Sequence, residues 1–110
     1  DFRVGSPTFG RAISVELDSI ENKQLFIPRG FLHGFSVLSE DAIVNIKIDR
    51  YFAAGESIGV KYDDKDLSID WKISAKDIIL SKVDIELKLF KDVISPFDYG
   101  KNYYLMKQFV

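Results

Sequence analysis

Residues 24–39, Gln-Leu-Phe-Ile-Pro-Arg-Gly-Phe-Leu-His-Gly-Phe-Ser-Val-Leu-Ser, constrain the fold more than any other part of this chain. A β-type apolar run meets Pro28 and Gly30, the strongest local punctuators of backbone structure, and turns there. A second apolar run over 34–38 follows, so the segment reads as a strand pair around a Pro-Arg-Gly corner. The turn delivers the only histidine, His33, between Phe31 and Phe35. Such a placement predicts a lone imidazole entering a barrel-like interior.

The rest of the chain extends this β reading. Asp1 to Val4 looks like the end of a strand, and Gly5-Ser6-Pro7-Thr8 has turn composition. Over 11–17, Ile13, Val15 and Leu17 share one face while Ser14 and Glu16 share the other, the alternation of a half-buried strand. Residues 18–23 are polar and read as a loop. Over 42–52 the alternation is clearest, with Val44, Ile46 and Ile48 on one face and Asn45, Lys47 and Asp49 on the other. Residues 54–57 turn the chain, 62–66 form an acidic loop, and Ser74-Ala75-Lys76-Asp77 opens a new element. Apolar residues at alternate positions over 83–89 suit a strand, yet the same stretch suits a short helix, and both readings stand. Pro96, Phe97, Tyr99, Tyr103 and Tyr104 should pack against the body of the protein. Many short strands divided by Gly/Pro turns predict an all-β barrel or sandwich of the jelly-roll kind.

Composition bounds the function. A chain of 110 residues with 46% hydrophobic content suits one globular domain with a modest core. There is no cysteine, which excludes disulfide and thiolate chemistry and makes a cytoplasmic setting the plain expectation. One histidine and no cysteine under-supply a transition-metal site, so no metal is expected. A net charge of −2 with both signs interspersed gives no footprint for nucleic acid, and no apolar run has the length of a membrane span.

Several blocks, in order, resemble one enzyme family. They are Asp1-Phe2-Arg3 with Gly5-Ser6-Pro7-Thr8-Phe9-Gly10, then residues 24–39, then Tyr62-Asp63-Asp64 with Ile69-Asp70-Trp71, then Ser74-Ala75-Lys76-Asp77. Together they span about the first two thirds of the chain and are similar to the nucleotide-sugar 3,5-epimerases that act on dTDP-4-dehydro-6-deoxy-glucose on the way to rhamnose. The resemblance implies a double-stranded β-helix (cupin, jelly-roll) barrel, a homodimer, a nucleotide-sugar substrate and no cofactor. It also implies proton abstraction α to a carbonyl at C3 and C5 and return on the other face. Such chemistry needs a base, an acid and a donor at the ketone oxygen.

Carried over residue by residue, the resemblance places His33 in the substrate pocket. It makes Asp77 the partner of a catalytic base histidine and puts the basic Lys76 near the substrate. That base lies, in the family, in an Arg-Gly-x-His segment upstream of the Asp-x-Arg block, as does a lysine, and this sequence contains neither. The expected fold is therefore one domain over residues 1–110, a partial barrel without its N-terminal strands and with room for a short C-terminal helical element. Thirteen residues beyond His33, where the family has its general-acid tyrosine, stands Ile46, with a side chain expected to point inward. Phe52 stands where the family often has a second tyrosine.

Plainer readings accompany each residue. His33 also suits a core histidine hydrogen-bonded to backbone. Ser74 and Asp77 have the spacing of a capping box at a helix start. Arg29 suits a contact to a phosphate or carboxylate of the substrate, or equally a surface turn. Asp63, Asp64, Asp66 and Asp70 lack the order of a calcium loop and read as a solvated acidic turn. The leading function is a nucleotide-sugar 4-keto 3,5-epimerase or its C-terminal portion, with a narrowed 3-epimerase as a variant. The rival is a non-catalytic sugar-nucleotide-binding or structural cupin remnant.

Overall fold

Three parts of the chain, around Phe9, Gly30 and Phe90 to Ser95, converge on Phe2. In the computed structural model, which describes residues 1–51, 53, 55 and 57–105, the Phe2 ring is the one fully buried large side chain. It stacks on Phe9 at 6.2 Å and meets the edge of Phe90 at 5.5 Å, while Phe9 and Phe90 lie 5.1 Å apart. Such aromatic pairs add stabilisation beyond the area they bury. The Phe2 backbone is used as well: its N–H donates to the Gly30 carbonyl at 3.0 Å, and its carbonyl accepts from the Ser95 hydroxyl.

A buried carboxylate fixes the chain on either side of this ring. Asp1 accepts from Arg3 Nε at 2.8 Å, Arg3 Nη2 at 2.7 Å, Ser6 Oγ at 2.5 Å and Thr8 Oγ1 at 2.7 Å. These bonds close the turn that the Gly-Ser-Pro-Thr composition predicts. The Arg3 guanidinium lies 4.5 Å from the Phe31 ring and 4.9 Å from the Tyr99 ring. Its stem passes so close to Gly30 that a Cβ there would sit 2.6 Å from Arg3 Cγ, and Gly30 has a φ of +91°. Only glycine meets both demands without strain.

Regular structure is sparse. Strand β1 (Arg3–Val4) pairs in parallel with β2 (Phe97–Asp98), Arg3 opposite Phe97. Between them lie a 3₁₀ turn at Ala75–Asp77, the single-turn helix α1 (Lys82–Ile85) and a 3₁₀ turn at Phe90–Asp92. One isolated parallel bridge joins Val60 to Lys88. Helix is scarce and strands are few, and no closed jelly-roll barrel is present among the described residues. The strands expected over 11–17, 24–27, 34–38 and 42–52 carry no ladder among the described residues. A strand holds its shape through partners, and even an isolated hairpin is marginal in water. Phe52 and parts of the 54–57 turn lie outside the described residues.

The consequence is an open molecule. Its accessible surface is 9988 Å², against about 6,200 Å² for an ordinary folded chain of this mass. The radius of gyration is 15.3 Å, where about 13 Å is usual. Ile13, Phe26, Ile43, Ile46 and Ile48 are all exposed, so the apolar faces read from the sequence have no cover here. Among the described residues no helix is long and apolar enough to cross a membrane.

Capping shows a second difference. The Ser74 side chain makes no cap bond, and the 3₁₀ turn is held by the Asp77 amide on the Ser74 carbonyl at 2.8 Å. The capping motif forms instead at Ser81, whose hydroxyl accepts from the Asp84 amide at 3.1 Å and donates to Asp84 Oδ2 at 2.6 Å. Residues 83–89 combine both expectations, since α1 takes the first part and the Lys88 bridge the second.

The acidic loop is not wholly solvated either. Asp63, Asp66 and Asp70 are exposed, whereas Asp64 is buried and accepts from the amides of Phe90 at 2.7 Å, Asp66 at 2.9 Å and Leu67 at 3.2 Å. The Phe90 amide does most to hold this carboxyl below the usual range; burial works the other way, and the Leu67 and Asp66 amides and the charge of Lys91 add to the lowering. A lowered native pKa means that the unfolded chain binds the proton first. Stability from Asp64 is thus complete above the unfolded carboxylate range and is lost as pH falls through it toward the native value. We expect Asp64→Asn to flatten the acid limb of a urea-midpoint titration; identical acid limbs in variant and wild type would reject the assignment.

Candidate functional site

The Pro-Arg-Gly corner positions the candidate site. It is closed by the Phe31 amide on the Pro28 carbonyl at 3.3 Å and by the positive φ of Gly30. Arg29 points into a tie between segments. Its Nε and Nη2 donate to Asp49 Oδ2 at 3.0 and 2.7 Å, and Nη1 donates to the Tyr103 carbonyl at 2.5 Å. The Arg29 amide donates to the Tyr104 hydroxyl at 3.0 Å, and the guanidinium lies 5.1 Å from that ring. The arginine does hold a carboxylate, as its type suggests, but one from its own chain.

His33 follows four residues later and is exposed, not enclosed between Phe31 and Phe35. Phe31 is half-buried under Arg3, whereas Phe35 is exposed, because no opposing sheet covers the 34–38 run among the described residues. Exposure likewise overturns the inward orientation expected of Ile46.

What anchors the histidine's segment is Trp71. The Ser36 hydroxyl donates to the Trp71 carbonyl at 2.8 Å, and the indole Nε1 donates to the Tyr62 carbonyl at 2.7 Å. A Cβ on Gly34 would lie 3.1 Å from the edge of the indole, so a larger residue beside His33 would press on that ring. The sequence reading placed Trp71 only within a family block; the readable signal was the glycine immediately after the histidine.

Trp71 begins the stretch that leads to Lys76 and Asp77. Both lie exposed in the 3₁₀ turn, and among the described residues neither is hydrogen-bonded or ion-paired to His33. Between Trp71 and that turn, Lys72 bonds Asp70 at 2.8 Å, and this bond holds the Asp70 carboxyl below its ordinary range. The four sequence-predicted residues therefore divide into Arg29 at the tail, His33 next to the Gly34 that meets Trp71, and a Lys76–Asp77 turn five residues beyond that tryptophan. Two clefts among the described residues, of about 350 and 160 Å³, are not lined by His33, Lys76 or Asp77.

Comparison with known proteins gives this arrangement its context. The dTDP-4-dehydrorhamnose 3,5-epimerase family matches residues 1–92, which contain all four candidates. The chain belongs to this family. A relative named dTDP-4-dehydrorhamnose 3,5-epimerase from Sinorhizobium fredii is 41% identical over 71 residues, covering 64% of this chain and 36% of its own. Relatives of the same name from Shigella flexneri and Methanothermobacter thermautotrophicus are 37% and 36% identical, each over 84% of this chain and 50% of its own. The chain thus spans about half the length of those two relatives, and less of the first. No solved structure matches it. Within the epimerase family, the segment beyond residue 92, which supplies Tyr103 and Tyr104 to the Arg29 tie, lies outside the matched region.

Exposure of His33 has a direct chemical readout. Since it is the only histidine, diethyl pyrocarbonate should modify the native protein nearly as fast as the urea-unfolded chain, followed by absorbance and mass. Protection by about tenfold or more, the mark of burial behind an opening free energy of about 1.4 kcal/mol or more, would overturn the exposed placement.

Proposed function

We propose that this chain is a portion of a nucleotide-sugar 3,5-epimerase, acting on a nucleotide-linked 4-keto-6-deoxy sugar in rhamnose or related deoxysugar synthesis. The observation that carries the reading is the family match over residues 1–92, with the Pro-Arg-Gly-Phe-Leu-His-Gly-Phe motif inside it. The reaction removes a proton α to the ketone and returns one to the opposite face, so the enolate needs a donor at its oxygen and shelter from water. His33 is assigned to the substrate, Lys76 supports it with positive charge, and Asp77 orients a base histidine that this sequence does not contain. Arg29 contributes by holding the corner. The reading implies no cofactor, a cytoplasmic setting, and a cupin barrel of which residues 1–110 form one partial domain.

Exposed apolar faces over 11–17 and 42–50 favour a homodimer that covers them, because extended exposed apolar surface marks an interaction site or promotes aggregation. Light scattering at micromolar concentration should report twice the chain mass; a monodisperse monomer rejects the dimer.

One observation favours the rival reading of a non-catalytic sugar-nucleotide-binding or structural remnant. Ile46 occupies the position of the family's general acid, and an isoleucine moves no proton. Proton NMR of dTDP-4-dehydro-6-deoxy-glucose in heavy water separates the two. The epimerase reading expects exchange at C3, C5 or both, and a faster rate in Ile46→Tyr by about a hundredfold or more, the lower end of a positioned acid–base group. A folded protein that gives no exchange in either form supports the remnant.

A further inference from the structure

The larger cleft belongs to no step of that reaction. It measures about 350 Å³ and is lined by Arg3, Arg29 and Lys101 together with Tyr99, Tyr103 and Tyr104. Its volume lies at the lower end of the range for small-molecule sites. No acidic side chain lines it, and the carboxylates that pair with the two arginines, on Asp1 and Asp49, are outside its wall.

The donors in this wall are only partly used. Asp1 engages Arg3 through Nε and Nη2, and Nη1 has no partner among the described residues. Lys101 makes no ion pair among the described residues. The hydroxyl oxygens of Tyr103 and Tyr104 accept from the amides of Asp98 and Arg29, which leaves each O–H hydrogen free to donate. A guanidinium edge, an ammonium and two phenols suit a phosphate, an anion with several acceptor oxygens.

The rings supply a second kind of contact. Tyr99 and Tyr104 are each about half exposed, at 49% and 53%, and each already faces an arginine, Arg3 at 4.9 Å and Arg29 at 5.1 Å. Rings fixed by stacked guanidinium groups lose little freedom when another planar group arrives. A ring-bearing phosphate therefore finds both its charge and its flat face matched.

We infer that this cleft binds a small phosphate ester carrying a planar ring, a nucleotide-class anion, at a site separate from His33. The inference does not rest on the proposed reaction, since Tyr99, Lys101, Tyr103 and Tyr104 all follow the last family-matched residue. The tail and the Pro-Arg-Gly corner build the site together.

Calorimetric titration of the full chain with uridine 5′-monophosphate, uridine and inorganic phosphate tests it. The monophosphate should bind more tightly than either part, and added salt should weaken it, because the cations lie at the surface. Tyr99→Ala should weaken it by about fivefold or more, Lys101→Glu by a few-fold, and His33→Ala not at all. Lys101 and Tyr99 are exposed, and circular dichroism checks that the variants keep the fold. Absence of binding, or binding unmoved by both Lys101→Glu and Tyr99→Ala, overturns the site. Inorganic phosphate binding as tightly as the nucleotide overturns the role of the rings, and a loss confined to His33→Ala would assign the nucleotide to the epimerase site instead.

Discussion

Phe2 is the constraint on which the ordered part of this molecule depends. Its ring packs against Phe9 and Phe90, and its two backbone groups take partners from Gly30 and Ser95. Because one residue serves both an aromatic cluster and two long-range hydrogen bonds, its packing and its backbone pairing reinforce each other. The Asp1 network and the Asp64 carboxylate then act as braces. The first shapes the turn that returns Phe9 to the ring, and the second fixes the amide of Phe90. Local polar chemistry thereby fixes a cluster that buries little surface of its own.

Turns proved legible because their causes are local. Gly5 to Thr8, the Pro28–Gly30 corner and the start of an element at Ser74 all follow from residues whose backbone preferences act within a few positions. The strands did not, because alternation describes what a face would bury if another face were present. Ile13, Val15 and Leu17, like Val44, Ile46 and Ile48, keep the pattern of half-buried strands while remaining at the surface. Periodicity reports a demand for cover, and only pairing turns that demand into a ladder.

The candidate residues could be named from the sequence, but their arrangement could not. His33, Lys76 and Asp77 were found through motif blocks, and Arg29 through its place between proline and glycine. Their setting depends on contacts that no local pattern encodes, such as Ser36 to the Trp71 carbonyl, or Arg29 to Asp49 and Tyr103. Asp64 is the instructive case. Four nearby aspartates look alike in sequence, yet only one meets the amide of a residue 26 positions away and is buried by it. Spacing within a loop carries no information about that partner.

The parallel pairing of β1 with β2 also governs the order in which the molecule can be made. Ser95 reaches the Phe2 carbonyl across 93 residues, and Phe97 lies opposite Arg3. During synthesis the segment around Phe2 leaves the ribosome well before β2, and Ser95, 93 residues later, must follow before the two can join. Until then its aromatic side chains are exposed in a growing polypeptide, where contacts of such long sequence separation form slowly. β1 is therefore completed only after β2 has been made, and until then the short Asp1–Thr8 turn holds the residues around Phe2 in shape.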